Sequence, residues 1–270
     1  MSGSALFTCN GIVKRYGSLA AVDGFSLVVD RGEIVGIGGP NGAGKTTLFD
    51  VVTGLTPATS GRAWFEDTEI TDYSADRICQ IGIARTFQLN AAFDNLTVGE
   101  NVEVAAYFGR SRRKMPGFRL DRETLRAAAE ALDFVGLADK RHVQVGQLPV
   151  LDRKLLMIAG AVATKPRMIF LDEPVGGLTL DEIDRIMDLV RRLRDGGVTI
   201  VLIEHVMRFL LALSSRVVIM HHGRLIFEGR PEAVAEDKTV VETYLGEGTR
   251  DRLKRFFADA PESKRGMAHG

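Results

Sequence analysis

Residues 39–46 read GPNGAGKT and satisfy the pattern G-x-x-x-x-G-K-[ST] at every fixed position. In such a loop the glycines let backbone N–H groups turn inward round a polyphosphate, and the helix that follows adds its positive end. Gly39, Pro40, Asn41, Gly42, Ala43 and Gly44 would then cradle the anion with main chain, closed by Thr47 in the first helical turn. Lys45 would reach the outer phosphates, and the Thr46 hydroxyl would ligate the magnesium that bridges them. A second group with chemical capacity lies at Asp172 and Glu173, where the apolar run in MIFLDEP ends in two carboxylates. An aspartate there supplies a hard oxygen ligand for magnesium opposite Thr46, and the neighbouring glutamate is placed to orient and deprotonate water. A third apolar run, residues 199–203, closes on Glu204 and His205.

These groups need elements that hold them at one edge. Residues 34–37 are a short apolar run suited to a buried strand, and 45–52 fit a helix that stops at Gly54. Thr179 and Glu182 form a T-x-x-E capping box for a helix running through Ile183, Ile186, Val190 and Leu193 to Gly196 and Gly197. Residues 216–227 read as a hairpin turning at His222 and Gly223. Strands alternating with helices predict a largely parallel sheet with ligands at the carboxyl ends of its strands, beside Lys45, Asp172 and His205. Upstream, the apolar stretches 6–9, 11–13 and 25–29, punctuated by Gly17, Gly24 and Gly32, predict several small antiparallel strands. Trp64 and Phe65 extend that sheet, and Tyr16 reads from spacing alone as a half-buried strand aromatic.

Residues 91–164 read as a mainly helical insert. From Asn95 the apolar residues Leu96, Val98, Val102 and Val104 mark one helix. Asp121 caps another, in which Leu125, Ala129 and Leu132 recur at three and four before Gly136 ends it. Between them Arg110, Arg112, Arg113, Lys114 and Arg119 sit beside Pro116 and Gly117 and read as a solvated basic loop. The expected organisation is one α/β unit over 1–246, with the helical insert at 91–164, and a basic tail over 247–270 in which Arg250, Arg252, Lys254 and Arg255 precede Phe256 and Phe257.

Composition narrows the function classes. The 270 residues carry 35 basic and 35 acidic side chains, so no bulk positive charge points to nucleic acid as a partner. Cys9 and Cys79 stand apart without metal spacing, as expected in a reducing compartment. The first residues lack a basic start followed by an apolar run, and no stretch approaches the roughly 20 apolar residues of a membrane helix. Association with a membrane is therefore expected through partners.

Taken in order, GPNGAGKT, RTFQ (85–88), FDNLTVGENV (93–102), LDEPVGGLT (171–179), LIEHVM (202–207) and YLG (244–246) resemble the ATP-binding subunits of ABC transporters over nearly all of residues 5–246. Within them the chain looks most like the ATPase subunits of branched-chain amino-acid importers. The resemblance implies an α/β phosphate-loop core with a small antiparallel β subdomain and a helical subdomain, ATP and Mg2+ as cofactors, and ATP hydrolysis coupled to transport. It implies that Tyr16 stacks on adenine and that Gln88 joins the metal and the attacking water to the helical insert. It makes Glu173 the general base and brings His205 to the γ-phosphate. The implied partners are a second ATPase subunit, two integral membrane permease subunits and, indirectly, a solute-binding protein, at the cytoplasmic face of the membrane.

One motif departs from the family. The signature L-S-G-G-Q is expected to end at position 152, and the residues there are Leu148, Pro149, Val150, Leu151 and Asp152. The alternative VQVGQ (143–147) keeps a Gly-Gln pair but needs five extra residues before the helix, so LPVLD is preferred. Pro149 removes a hydroxyl and an N–H together, Val150 and Leu151 put side chains where glycines let a phosphate approach, and Asp152 adds a negative charge where it can cap the helix. The chain thus reads as an importer ATPase with a degenerate signature that pairs with a different, consensus ATPase. The rival readings are a nucleotide-binding structural subunit with little turnover and a non-transport ABC ATPase.

Overall fold

The computed structural model describes residues 5–87, 92–109, 120–246, 248–250 and 253. Gln88, the basic stretch 110–119 and most of the tail after residue 246 lie outside the described residues.

The chain opens with two long strands, β1 (Ala5–Tyr16) and β2 (Leu19–Asp30), paired antiparallel. This corrects the expectation of several small strands. Gly11 and Gly24, both at positive φ, sit beside register shifts in a continuous ladder, and Gly17 supplies the tight turn between the strands. Next come β3 (Ile34–Gly38), α1 (Lys45–Val52), β4 (Ser60–Phe65), β5 (Thr68–Glu69), α2 (Ala75–Gln80) and β6 (Ile83–Arg85). Three helices follow, α3 (Val98–Phe108), α4 (Arg122–Val135) and α5 (Val150–Ala163). The chain then returns to alternation with β7 (Met168–Asp172), α6 (Leu180–Asp195), β8 (Thr199–Ile203), α7 (Met207–Leu213) and the hairpin β9 (Arg216–His221) and β10 (Arg224–Gly229), and closes with the short α8 (Lys238–Val240) and a π turn.

Two sheets result, β2-β1-β4-β5 and β10-β9-β3-β8-β7-β6. In the second, β9, β3, β8, β7 and β6 are all parallel and only β10 runs antiparallel. Its central strands are buried on both faces, which is why they read as continuous apolar runs. Side chains alternate between two cores. Val35, Ile37, Phe170, Val201 and Ile203 join the antiparallel sheet and α1, whereas Ile34, Ile169, Leu171, Ile200 and Leu202 join the helices. Phe170 meets Phe7 and Phe49 edge-on at 5.7 and 4.9 Å, each contact contributing about 0.5–1.5 kcal/mol beyond area burial.

Helices α3, α4 and α5 pack on one another, and their ends follow local chemistry. Thr97 and Glu100 cap α3 reciprocally, Asp121 accepts the Thr124 N–H at the start of α4, and Gly136 ends α4 in the left-handed region. The buried face of α4 is Thr124, Ala127, Ala128, Ala131, Leu132 and Val135, so Leu125 and Ala129 face solvent, contrary to the sequence reading. Small alanines let α4 approach α3 and α5 closely, and this shifts the contact stripe off the larger leucine.

Candidate nucleotide site

Strand register brings the chemistry to one edge. Asp172 pairs with Ile203 and Ile203 with Ile37, so the chain leaves β7, β8 and β3 at one level with Glu173, Glu204 and Gly39 just beyond. The phosphate loop occupies that edge between β3 and α1. Gly39 has φ 143°, and a Cβ there would lie 2.2 Å from the Met220 carbonyl oxygen. At Gly44, with φ 98°, it would lie 2.1 Å from the Ala21 carbonyl oxygen. Only glycine fits either position. The loop is also braced from outside: the Gly223 N–H donates to the Ala43 carbonyl (2.9 Å), and the Asp23 N–H donates to the Gly223 carbonyl (2.8 Å). The β9–β10 turn therefore joins the loop to β2.

Lys45 is buried at the start of α1, and its ammonium donates to the carbonyls of Gly39 (2.7 Å) and Pro40 (2.9 Å). Burial lowers its pKa, opposed by the negative charges of Glu173 and Asp172. The ammonium is thus held at the loop mouth by weak acceptors that a phosphate can replace. Thr46 and Thr47 follow in the first turn of α1, with Thr46 exposed. Asn41 and Gly42 are also exposed. Tyr16 stands at the end of β1, 51% exposed, with the Lys14 ammonium 5.1 Å from its ring centroid.

Asp172 is buried, and its two oxygens differ. Oδ2 accepts from Arg85 Nη2 at 2.9 Å, while Oδ1 has no hydrogen-bond partner. Its N–H donates to the Thr86 hydroxyl at 3.1 Å. Burial raises the Asp172 pKa, and the Arg85 guanidinium opposes that rise. Arg85 Nη1 also donates to Asp50 of α1 at 2.7 Å, so one buried cation ties the helix after the phosphate loop to the strand that carries Asp172. A buried carboxylate oxygen without a partner suits a hard divalent cation. Among the described residues, no cluster of three or more His, Cys, Asp and Glu side chains offers a metal cage of its own.

Glu173 adopts φ 46°, a left-handed backbone that side chains other than glycine rarely take. Its N–H donates to the Ile203 carbonyl (3.0 Å), its carbonyl accepts from Lys154 Nζ of α5 (2.6 Å), and its Oε1 lies 3.8 Å from His205 Nδ1. Glu204 is wholly buried and accepts backbone N–H bonds from Val175 (3.0 Å), His205 (3.0 Å) and Val206 (3.1 Å). Burial raises its pKa against those bonds. Glu204 fixes the segments after β7 and β8 relative to each other, and so sets the Glu173–His205 spacing.

Leu148, Pro149, Val150, Leu151 and Asp152 lie apart from this cluster, at the start of α5. The helix begins at Val150 with Pro149 as its cap, so residues 148–152 occupy its start and the VQVGQ run lies upstream. The capping role expected of Asp152 is not seen. Its carboxylate is turned inward, 4% exposed, and pairs with Lys140. At the third helical position it could receive only the N–H of the cap residue, which Pro149 lacks, and Lys140 of the turn at 138–140 takes it instead.

The structure therefore brings together the phosphate loop, Lys45, Asp172, Glu173 and His205, and leaves Tyr16 at the outer edge. Sequence reading passed over Arg85, Lys154, Glu204 and Lys140 as site residues; Arg85 carried a signal in its position in RTFQ, and Glu204 in closing the strand run within LIEHVM.

A family model described as ABC transporter matches residues 22–176. The chain belongs to the ABC transporter family. It is 35% identical over 246 residues to a high-affinity branched-chain amino acid transport ATP-binding protein of Pseudomonas aeruginosa, covering 88% of this chain and 96% of that one. A nucleotide-free ATP-binding cassette from an ABC transporter superposes with a TM-score of 0.82 at 32% identity, over 90% of this chain and 100% of that structure. The ADP conformation of an ATP-binding cassette gives 0.81 at 32% identity, over 90% and 99%. This chain is an ATPase cassette of that family, with its antiparallel sheet, phosphate-loop core and helical layer. Among the described residues, no helix is long and apolar enough to cross a membrane.

Proposed function

We propose that this cassette is the ATP-binding and hydrolysing subunit of an importer for branched-chain or related hydrophobic or aromatic carboxylates, held at the cytoplasmic face of the membrane by its permease partners. One observation carries the reading. Asp172 keeps an unpartnered oxygen beside the phosphate loop, and Glu173 and His205 are held as a pair next to it. In this reading the loop amides and Lys45 bind the phosphates, Tyr16 takes the adenine ring, and Thr46, Asp172 and Gln88 hold Mg2+. That ion, when bound, would neutralise charge on the outer phosphates. Glu173 takes the proton of the attacking water, and His205 donates to the γ-phosphate. The test is phosphate release with Mg-ATP by the intact chain paired with an ATPase that carries a consensus signature: Glu173→Gln retains binding and loses turnover, whereas parallel loss of both counts against the assignment.

Partners follow from two surfaces. A groove of about 390 Å³ lies where α3 and α5 meet β6 and α2, lined by Leu55, Phe87, Phe93, Phe108 and Met157 among others, with Arg85 also on its wall. Exposed aromatics beside the residues that lead into Gln88 suit a docking helix of a permease subunit, with residues 91–164 as the helical subdomain that receives it. Gln88→Ala should then impair partner-stimulated turnover more than ATP binding.

The second surface is the start of α5, where the family's signature would serve a nucleotide on a second ATPase. Pro149 offers neither hydroxyl nor N–H, and Val150 projects an exposed side chain. Each charge-assisted hydrogen bond lost costs about 1.5–3 kcal/mol, so losing two slows that site by roughly a hundred to ten-thousandfold. Asp152, neutralised by Lys140, adds little repulsion, so the deficit lies in residues 149–151. A partner with a consensus signature would complete the site built on Lys45 and Glu173, while the site served by LPVLD holds nucleotide and turns over slowly. A solute-binding protein and two permeases complete the assembly.

A further inference from the structure

The general base of the proposed reaction sits on a strained backbone, and the group that holds the strain comes from another layer of the molecule. Glu173 has φ 46°, and both of its peptide groups are engaged. Its N–H donates to Ile203 at 3.0 Å, which anchors the strand side. Its carbonyl accepts one short bond, from Lys154 Nζ at 2.6 Å, and the Gly176 N–H is a distant second donor at 3.5 Å. Lys154 belongs to α5, four residues after the helix begins at Val150, and is partly buried with Glu204, Glu173 and Asp172 as the carboxylates that face it. Its charge is thus balanced by the site without capturing either catalytic side chain, since its bond goes to the main chain. A side chain in the left-handed region persists only where its surroundings over-determine it, and here the over-determining bond is a lysine reaching across from the helical layer.

We propose that Lys154 is a positioning residue: by holding the Glu173 carbonyl it fixes the left-handed peptide and so aims the Glu173 carboxylate at the attacking water. The inference rests on Glu173 as general base. Without the ammonium, the peptide between Glu173 and Pro174 keeps only the 3.5 Å contact and can rotate toward ordinary φ, carrying the carboxylate away from the water. A displacement of about 1 Å costs on the order of a hundredfold in a positioned reaction. Because the same helix begins with residues 148–152, whatever contacts that start is one rigid element away from the general base.

The test uses the full chain with Lys154→Met, which keeps the stem and removes the charge, and Lys154→Arg, which restores a donor. Calorimetric affinity for Mg-ATP should stay within about twofold of wild type in both, while kcat falls roughly ten- to hundredfold in Lys154→Met and largely recovers in Lys154→Arg. Unfolding measured in a double-mutant cycle with Glu173→Gly gives a readout independent of turnover. Lys154→Met should raise the unfolding constant about tenfold with Glu173 present and about threefold or less in the Glu173→Gly background, where no strain needs support. Additive effects in the cycle, or equal kcat in wild type and Lys154→Met, would overturn the proposal. Turnover is read with the chain paired to an ATPase that carries a consensus signature; a wild-type pair that binds Mg-ATP without turnover would count against the general-base reading, and the cycle alone would then decide whether Lys154 holds the Glu173 backbone.

Discussion

Two helix starts in this molecule are built in opposite ways. At α1 the approach to the helix is made of glycines with φ of 143° and 98°, packed so tightly on Met220 and Ala21 that no side chain fits. At α5 the approach is Pro149 at φ −65°, followed by Val150 and Leu151, and the one acidic residue is folded inward onto Lys140. The first has backbone to offer an anion and the second has side chains. A helix dipole is common to both, so the dipole alone does not make a phosphate site; what distinguishes them is whether the N–H groups are presented or covered.

The sharpest way to break the contrast is to rebuild the second start. If residues 148–152 serve a slow site as proposed, Pro149→Ser with Val150→Gly and Leu151→Gly, tested in the assembled transporter, should raise hydrolysis there by roughly a hundred to ten-thousandfold. Unchanged turnover would mean that residues 149–151 are not what limits it. At the first start, Lys45→Ala should weaken Mg-ATP binding by about ten- to a hundredfold, read by calorimetry at one salt concentration, because a charge-assisted contact is lost. Equal affinity would show that the amides suffice. At the outer edge of the same site Tyr16→Ala should cost about 1–3 kcal/mol of binding, with Tyr16→Phe close to neutral. If both lose alike, the hydroxyl and not the ring makes the contact. The smallest effect is expected at Asp152. Asp152→Asn leaves a half-exposed Lys140 unpaired, and denaturant unfolding should register about 1 kcal/mol or less. A rise in ATP turnover there would revive a repulsive role for the carboxylate.

What was legible in the sequence was local. The loop GPNGAGKT, the apolar runs that became β3, β7 and β8, the Thr179–Glu182 box and the turn at His222 and Gly223 each depend on residues a few positions apart. The supporting cations were not, because their partners are remote in the chain: Arg85 reaches Asp172, Lys154 reaches Glu173, and Lys140 reaches Asp152 only after α5 has packed. The same holds for the face of α4. Spacing at three and four fits several stripes, and the alanine-rich one was selected by close approach to its neighbours, leaving Leu125 outside. Glu204 was visible only as the residue closing a strand, and its burial under three N–H donors is a property of two loops meeting.

The β9–β10 turn has a consequence for anyone who wishes to modify this protein. Hairpin tips are ordinarily where a chain accepts tags, cleavage sites or inserted domains. Here the tip is a keystone: Gly223 gives its N–H to Ala43 in the phosphate loop and receives the N–H of Asp23 from the sheet that ends in Tyr16. The sheet whose strand ends in the proposed base-stacking Tyr16 and the phosphate loop are therefore in mechanical register through one glycine. An epitope inserted between His222 and Gly223 would leave the strands free to pair and yet let sheet and loop drift apart.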